Sequence, residues 1–162
     1  MNLKITEKMT PTQMRQLIKH SNFDEIIIKS TNDRERFSDQ ASVDKWLKKK
    51  RKFYILIDEE DKLMGIIWFG KETIPTKDKK YSITFAIRLY EGNRGKGYAK
   101  KFMKEAITKF KLTSEYKKRT GGFWLITNPD NLPAIKAYEY FGFKKIPYED
   151  SEGRILMATK DL

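Results

Sequence analysis

Polar and apolar residues alternate over residues 2–6 (NLKIT), the period of a short strand. Thr10-Pro11 then opens a helix that sets Met14, Leu17 and Ile18 on one face. Over residues 22–40 the pattern is ambiguous. The run Ile26-Ile27-Ile28 suits a strand or a buried helix, and periodicity cannot decide over so few residues. Ser42 is placed to cap a helix that runs through Trp46 and Leu47 into the basic stretch Lys48 to Lys52. FYILID (53–58) and LMGIIWFG (63–70) read as a hairpin joined by the polar segment Glu59 to Lys62. A charged loop over 71–80 precedes TFAIRL (84–89), a buried strand. After Gly92, Gly95 and Gly97, the positions Tyr98, Phe102, Ala106 and Phe110, with Met103 and Ile107 beside them, form the apolar stripe of a long helix. FWLIT (123–127) is a further strand, broken by Asn128-Pro129-Asp130. Asn131 caps a helix holding Ala134 to Phe141, with Pro133 in its first turn and Gly142 at its end. A last strand pair is predicted at 143–148 and 154–160.

This order predicts an α/β fold built on one mixed sheet, and its length predicts a single domain over residues 1–162. With 39% hydrophobic and 13% aromatic residues the chain has the means to build a core, which sets it apart from disordered chains. No apolar run approaches the roughly 18 residues of a membrane span, and the first ten residues lack the apolar stretch of a secretory signal. With no cysteine, disulfides, thiolate metal sites and a cysteine nucleophile are all closed. The expectation is a cytoplasmic protein without a metal centre.

A net charge of +12 attracts polyanions, whether nucleic acid or a phosphate-rich cofactor. Runs such as Lys48 to Lys52 and Lys117 to Arg119 keep a basic, RNA- or ribosome-associated protein as an alternative, although no nucleic-acid recognition motif accompanies them.

The stretch Leu89 to Ala99 (LYEGNRGKGYA) lies between a strand and a helix. The first N–H groups of a helix lack internal acceptors and sit at the positive end of its dipole, so an anion binds there. Gly95-Lys96 is followed by Gly97 and not by the Ser or Thr of a Walker loop. Lys100 occupies the position where a dinucleotide fingerprint requires a small residue. What remains is Arg94-x-x-Gly97-x-Ala99.

That set resembles motif A of the GNAT acetyltransferases, Gln/Arg-x-x-Gly-x-Gly/Ala. Asn131-x-x-Ala134-x-x-x-Tyr138-x-x-x-Gly142-Phe143 is similar to their motif B, in register and in the right order. The resemblance covers about residues 53–160. It implies a mostly antiparallel mixed sheet flanked by helices and acetyl-CoA as co-substrate. It implies that Ile87, Arg88 and Leu89 offer backbone groups to the pantetheine arm, and that Arg94, Gly95, Lys96, Gly97, Tyr98 and Ala99 carry the pyrophosphate. Asn131 would reach the same arm, and Tyr138 would be the general acid at the thioester sulfur. A phenol, with a pKa of about 10, needs hydrogen-bond assistance to serve a thiolate of lower pKa. Without cysteine, transfer is expected to be direct, within a ternary complex.

The family's usual bases are missing. Ile126 stands where many members carry a glutamate, and the strand before motif A offers Thr84, Ala86 and Arg88. Glu72, Glu91 and Glu149 are the remaining candidate carboxylates, and an acyl-CoA-binding protein with little turnover is a second reading. The lone histidine, His20, is expected at the end of an early helix in a surface or capping role. The acceptor, an amine on a small molecule or a protein, would be gripped by the N-terminal helices and the loop Pro147 to Gly153, where Glu149 and Asp150 are candidates for receiving it. Dimers are common among family members.

Overall fold

The structure, a computed structural model, describes residues 3–162. In chain order the elements are β1 (Lys4–Thr6), α1 (Pro11–Phe23), α2 (Glu25–Ser30), α3 (Asp33–Arg36), α4 (Gln40–Leu47), β2 (Lys52–Ile57), β3 (Leu63–Lys71), β4 (Tyr81–Leu89), α5 (Tyr98–Lys111), α6 (Ser114–Lys117), β5 (Gly122–Thr127), α7 (Leu132–Tyr140), β6 (Lys144–Ile146) and β7 (Ile155–Thr159). Residue 2 of the expected first strand lies outside the described residues. The seven strands form one mixed, mostly antiparallel sheet in the order β1-β2-β3-β4-β5-β7-β6, with helices flanking it, as the resemblance implies.

The chain divides into two compact units. The first comprises residues up to Trp68 together with Ile87–Ala106, and the second comprises Phe69–Ala86 with Ile107–Leu162. Strands β3 and β4 and helix α5 each contribute residues to both.

In the first unit β1 runs antiparallel to β2, with Lys4 opposite Ile57 and Thr6 opposite Ile55. Helix α1 starts as the sequence predicts. The Thr10 side chain accepts from Gln13 N, and the Gln13 side chain accepts from Thr10 N, a reciprocal cap. The ambiguous isoleucine run is helical, because Asp24 caps it: one carboxylate oxygen accepts from the N–H groups of Ile26 (3.2 Å) and Ile27 (3.3 Å). The cap of α4 is Asp39, which accepts from Ser42 N at 2.8 Å, so Ser42 stands inside the helix rather than before it. Both residues have cap chemistry, and the chain uses the earlier one. Phe37, Trp46 and Trp68 meet edge to face and are buried with Leu17, Val43 and the β2 run Tyr54 to Ile57.

In the second unit β4 runs parallel to β5 at its start, with Tyr81 opposite Gly122 and Thr84 opposite Trp124. Strand β5 is antiparallel to β7 from Phe123–Thr159 to Thr127–Ile155, and β6 closes on β7. Phe110, on the apolar stripe of α5, stacks flat on Phe69 at 3.9 Å between centroids. Phe85, Phe123 and Phe143 extend this aromatic core. Helix α6, which the apolar pattern does not announce, is one turn capped by Thr113.

Candidate functional site

Strand β4 ends at Leu89 and α5 begins at Tyr98. The turn between them takes positive φ at Gly92 (82°), Gly95 (72°) and Gly97 (78°), angles that side-chain-bearing residues resist. A Cβ at Gly95 or Gly97 would meet nothing within 4 Å, so glycine is required there by backbone conformation and not by crowding. Gly95, Lys96 and Gly97 are exposed, and the first amides of α5, which have no intrahelical acceptor, follow directly. Among the described residues this turn fits a pyrophosphate: backbone donors, a helix N-terminus and the exposed Lys96.

Asp24 holds the entrance of this turn. Besides capping α2, its second oxygen accepts from Glu91 N at 2.8 Å and pairs with the Arg94 guanidinium. The carboxylate is 3% exposed. Burial pushes its pKa up, but Arg94 and the N–H donors outweigh that and hold it below the usual carboxylate value. Arg94, expected to serve the pyrophosphate, thus turns its side chain to Asp24.

Arg88 behaves similarly. Its guanidinium is engaged by Asp33 through Nε (2.7 Å) and Nη2 (3.2 Å), and Arg36 pairs with the same carboxylate. Both arginines lie over the Trp68 ring, at 4.9 Å for Arg88 and 5.4 Å for Arg36. Asp33 is wholly buried; burial raises its pKa, and the two guanidiniums more than reverse the effect. Ile87 and Leu89, the flanking residues expected to offer backbone groups, are half-buried.

His20 lies in the last turn of α1, where its carbonyl accepts from Asp24 N, and its ring is half-buried. Helix α1 continues to Phe23, and the imidazole stacks flat on buried Tyr90 at 4.3 Å. Burial lowers its pKa, so the neutral ring is favoured. Burial likewise pushes the Tyr90 phenol well above its ordinary value.

In the second unit, α7 carries the second motif. Asn131 occupies the N-cap position but makes no side-chain cap bond, contrary to the expected capping role; its carbonyl accepts from Ile135 N at 3.0 Å. Gly142 ends the helix at φ 93°. Tyr138 is buried and meets Phe85 and Phe143 edge to face at 6.3 and 6.1 Å. Ile126 is a half-buried residue of β5. Of the candidate bases, Glu72 is exposed and its carbonyl accepts from Trp124 Nε1, while Glu91 and Glu149 are exposed. Asp150 is committed within its own turn: it binds Arg154 through Nε (2.9 Å) and Nη2 (3.2 Å) and accepts from Glu152 N and Arg154 N. Those donors hold its pKa down at about 2.

The residues that sequence reasoning missed are Asp24 and Asp33. The only sequence signal for Asp24 is its place before an apolar run, a cap position that leaves its distant partners unannounced.

A family model described as the acetyltransferase (GNAT) family matches residues 14–143. A search of curated protein sequences finds no match. Among solved structures, the chain is similar to an N-acetyltransferase from Staphylococcus aureus Mu50 at 17% identity, covering 99% of both chains with a TM-score of 0.65. It is also similar to the spermidine N-acetyltransferase from Vibrio cholerae in complex with CoA and spermine, at 16% identity over 96% of this chain and 92% of that one, with a TM-score of 0.66. A third is the phosphinothricin acetyltransferase from Sinorhizobium meliloti in complex with AcCoA, at 12% identity over 99% and 89%, TM-score 0.70. Likenesses at these identities speak to the fold. No helix among the described residues is long and apolar enough to cross a membrane.

Proposed function

The chain belongs to the acetyltransferase (GNAT) family, and from that premise we propose that residues 1–162 act as one domain moving an acetyl group from acetyl-CoA to a primary amine. The observation that carries this reading is the turn between β4 and α5, with positive φ at Gly92, Gly95 and Gly97 at the mouth of a helix. Its support from relatives is the presence of CoA or AcCoA in two of the similar structures.

In this reading the amides of Arg94 to Ala99 bind the pyrophosphate, and the backbone of Ile87, Arg88 and Leu89, with Asn131, binds the pantetheine arm. Acetyl-CoA supplies an activated thioester. Tyr138 donates a proton to the departing thiolate, a role supported by its place in the second motif. The amine attacks directly, since the chain has no cysteine to form an acyl intermediate. With Ile126 where many members carry a glutamate, the amine arrives neutral, or loses its proton through water or to one of the exposed carboxylates Glu72, Glu91 and Glu149. Glu149 is the exposed member of the acceptor-loop pair, whereas Asp150 is held by Arg154. We place the reaction in the cytoplasm.

The isoleucine at 126 favours one second reading: an acyl-CoA-binding protein with little turnover. Release of CoA in the presence of an amine panel separates the two.

The test is the thermal midpoint with and without acetyl-CoA, for the wild type and for Gly97→Asp. Ligand at 100 times its Kd stabilises by roughly 2.7 kcal/mol, a shift of several degrees. The expected result is a shift in the wild type that the variant loses, because a carboxylate and a Cβ then occupy a positive-φ phosphate site. An unshifted, folded wild type would refute the reading.

A further inference from the structure

A single carboxylate, Asp24, ties three parts of the first unit together. One oxygen accepts from Ile26 N and Ile27 N and so starts α2. The other accepts from Glu91 N, 67 residues away, and pairs with Arg94, 70 residues away. Glu91 and Arg94 bracket the first positive-φ glycine, Gly92, and the intervening turn is closed by Asn93 N donating to Tyr90 O at 3.0 Å. Tyr90 N in turn donates to Met64 O at 3.0 Å, so the start of the turn is anchored to β3. The far end of the turn, Gly95 to Gly97, is exposed and glycine-rich. It has the largest conformational freedom to lose when a ligand fixes it. Arg94 is the last residue before that free stretch, and its side chain is fixed by a group that is 3% exposed.

We infer that Asp24 is a positioning residue for the cofactor turn: by holding Glu91 N and the Arg94 side chain, it presets the path of Gly95 to Ala99 and lowers the ordering cost of pyrophosphate binding. This rests on the reading that the turn binds acetyl-CoA. Asp24 touches neither cofactor nor reacting atoms in this account. It acts through Arg94 and the Glu91 amide. The Asp24–Arg94 pair also keeps the guanidinium directed away from a role as a simple phosphate counter-charge, so affinity depends on the geometry that the pair imposes as well as on charge. The pair's second consequence is coupling. Helices α1 and α2 meet at Asp24, and any shift of that corner moves a ligand of the turn.

The experiment measures the acetyl-CoA Kd by calorimetry for the wild type, Asp24→Ser, Asp24→Glu, Arg94→Met and the double variant Asp24→Ser/Arg94→Met. Serine keeps the cap of α2 but is too short to hold both Glu91 N and Arg94. The expected result is a loss of about tenfold in Asp24→Ser, with recovery to within about threefold in Asp24→Glu. In the double variant the Asp24→Ser change adds less to the loss caused by Arg94→Met than it costs alone, since the pair is already broken and only the Glu91 N contact remains to be lost. A residue that only starts α2 would lower the melting temperature without this pattern. Should Asp24→Ser fail to fold, Asp24→Asn, of equal size and with one cap oxygen retained, answers the same question. Wild-type binding with an unchanged Kd in the folded Asp24 variants overturns the inference and leaves the cofactor reading standing. A wild type that binds no acetyl-CoA overturns both.

Discussion

Asp24 and Asp150 make nearly the same set of contacts. Each accepts from two or more backbone N–H groups that follow it and pairs with an arginine, and each has its pKa held below the ordinary value. They differ in where the partners come from. The partners of Asp150 lie two and four residues away, so the denatured chain already visits that arrangement. The Glu91 and Arg94 partners of Asp24 meet it only in the folded state. Asp33 extends the second case, wholly buried and clasped by Arg88, 55 residues on. Identical chemistry therefore staples a turn in one place and joins separate elements in the other.

The largest expected effect follows from Asp33. Asp33→Ala leaves Arg88 and Arg36 without their carboxylate beside Trp68, and we expect a loss of about 3–5 kcal/mol in urea-melt stability. A loss within the range of surface substitutions would erase the distinction between the two kinds of aspartate. Asp24→Ala should cost on the order of 2–4 kcal/mol, less because Arg94 keeps access to water. Asp150→Ala, by contrast, should lower the urea midpoint less than either, since its partners lie only two and four residues away and Arg154 keeps access to water.

Acid sharpens the comparison. Asp24, Asp33 and Asp150 all titrate below the usual 3.8 in the folded state, so the unfolded chain binds more protons in that range. Their stabilisation is complete above that value and is lost as the pH falls through it toward the folded-state pKa values. In stability measured from pH 5 to pH 2, each of the three alanine variants should flatten the slope, Asp150→Ala included, because its folded-state pKa is held down at about 2. The smallest effect belongs to His20, whose pKa is lowered by burial against Tyr90. Folding favours its neutral form, so its contribution is full above 6.5 and declines as the pH falls through that value. His20→Phe should remove that gentle slope, and an unchanged slope would show that the imidazole titrates as it does in the unfolded chain.

The same contrast explains what the sequence reveals. Elements set by local chemistry are legible: the reciprocal Thr10–Gln13 cap, the apolar stripe of α5, and Gly142 closing α7. Both motif elements fall where the pattern puts them, because glycine spacing and helix period are local properties. Choices between equivalent local options are not legible. Asp39 and Ser42 both suit a cap, and the isoleucine run over 26–28 becomes helical because a capping residue is itself fixed by Glu91 N and Arg94. Asn131 has cap chemistry and leaves it unused. For Arg88 and Arg94 the motif speaks to backbone groups and leaves the side chains open; those answer to aspartates far away in the chain. A long-range ion pair leaves no period in a sequence.

The most direct test of the account is amide hydrogen exchange with and without acetyl-CoA, read at the β4–α5 turn against the Asp150 turn as an internal control. Slower exchange is expected at residues 94–99 on addition of acetyl-CoA, with no change at residues 150–154. Binding that protects other amides while residues 94–99 exchange as before would contradict it.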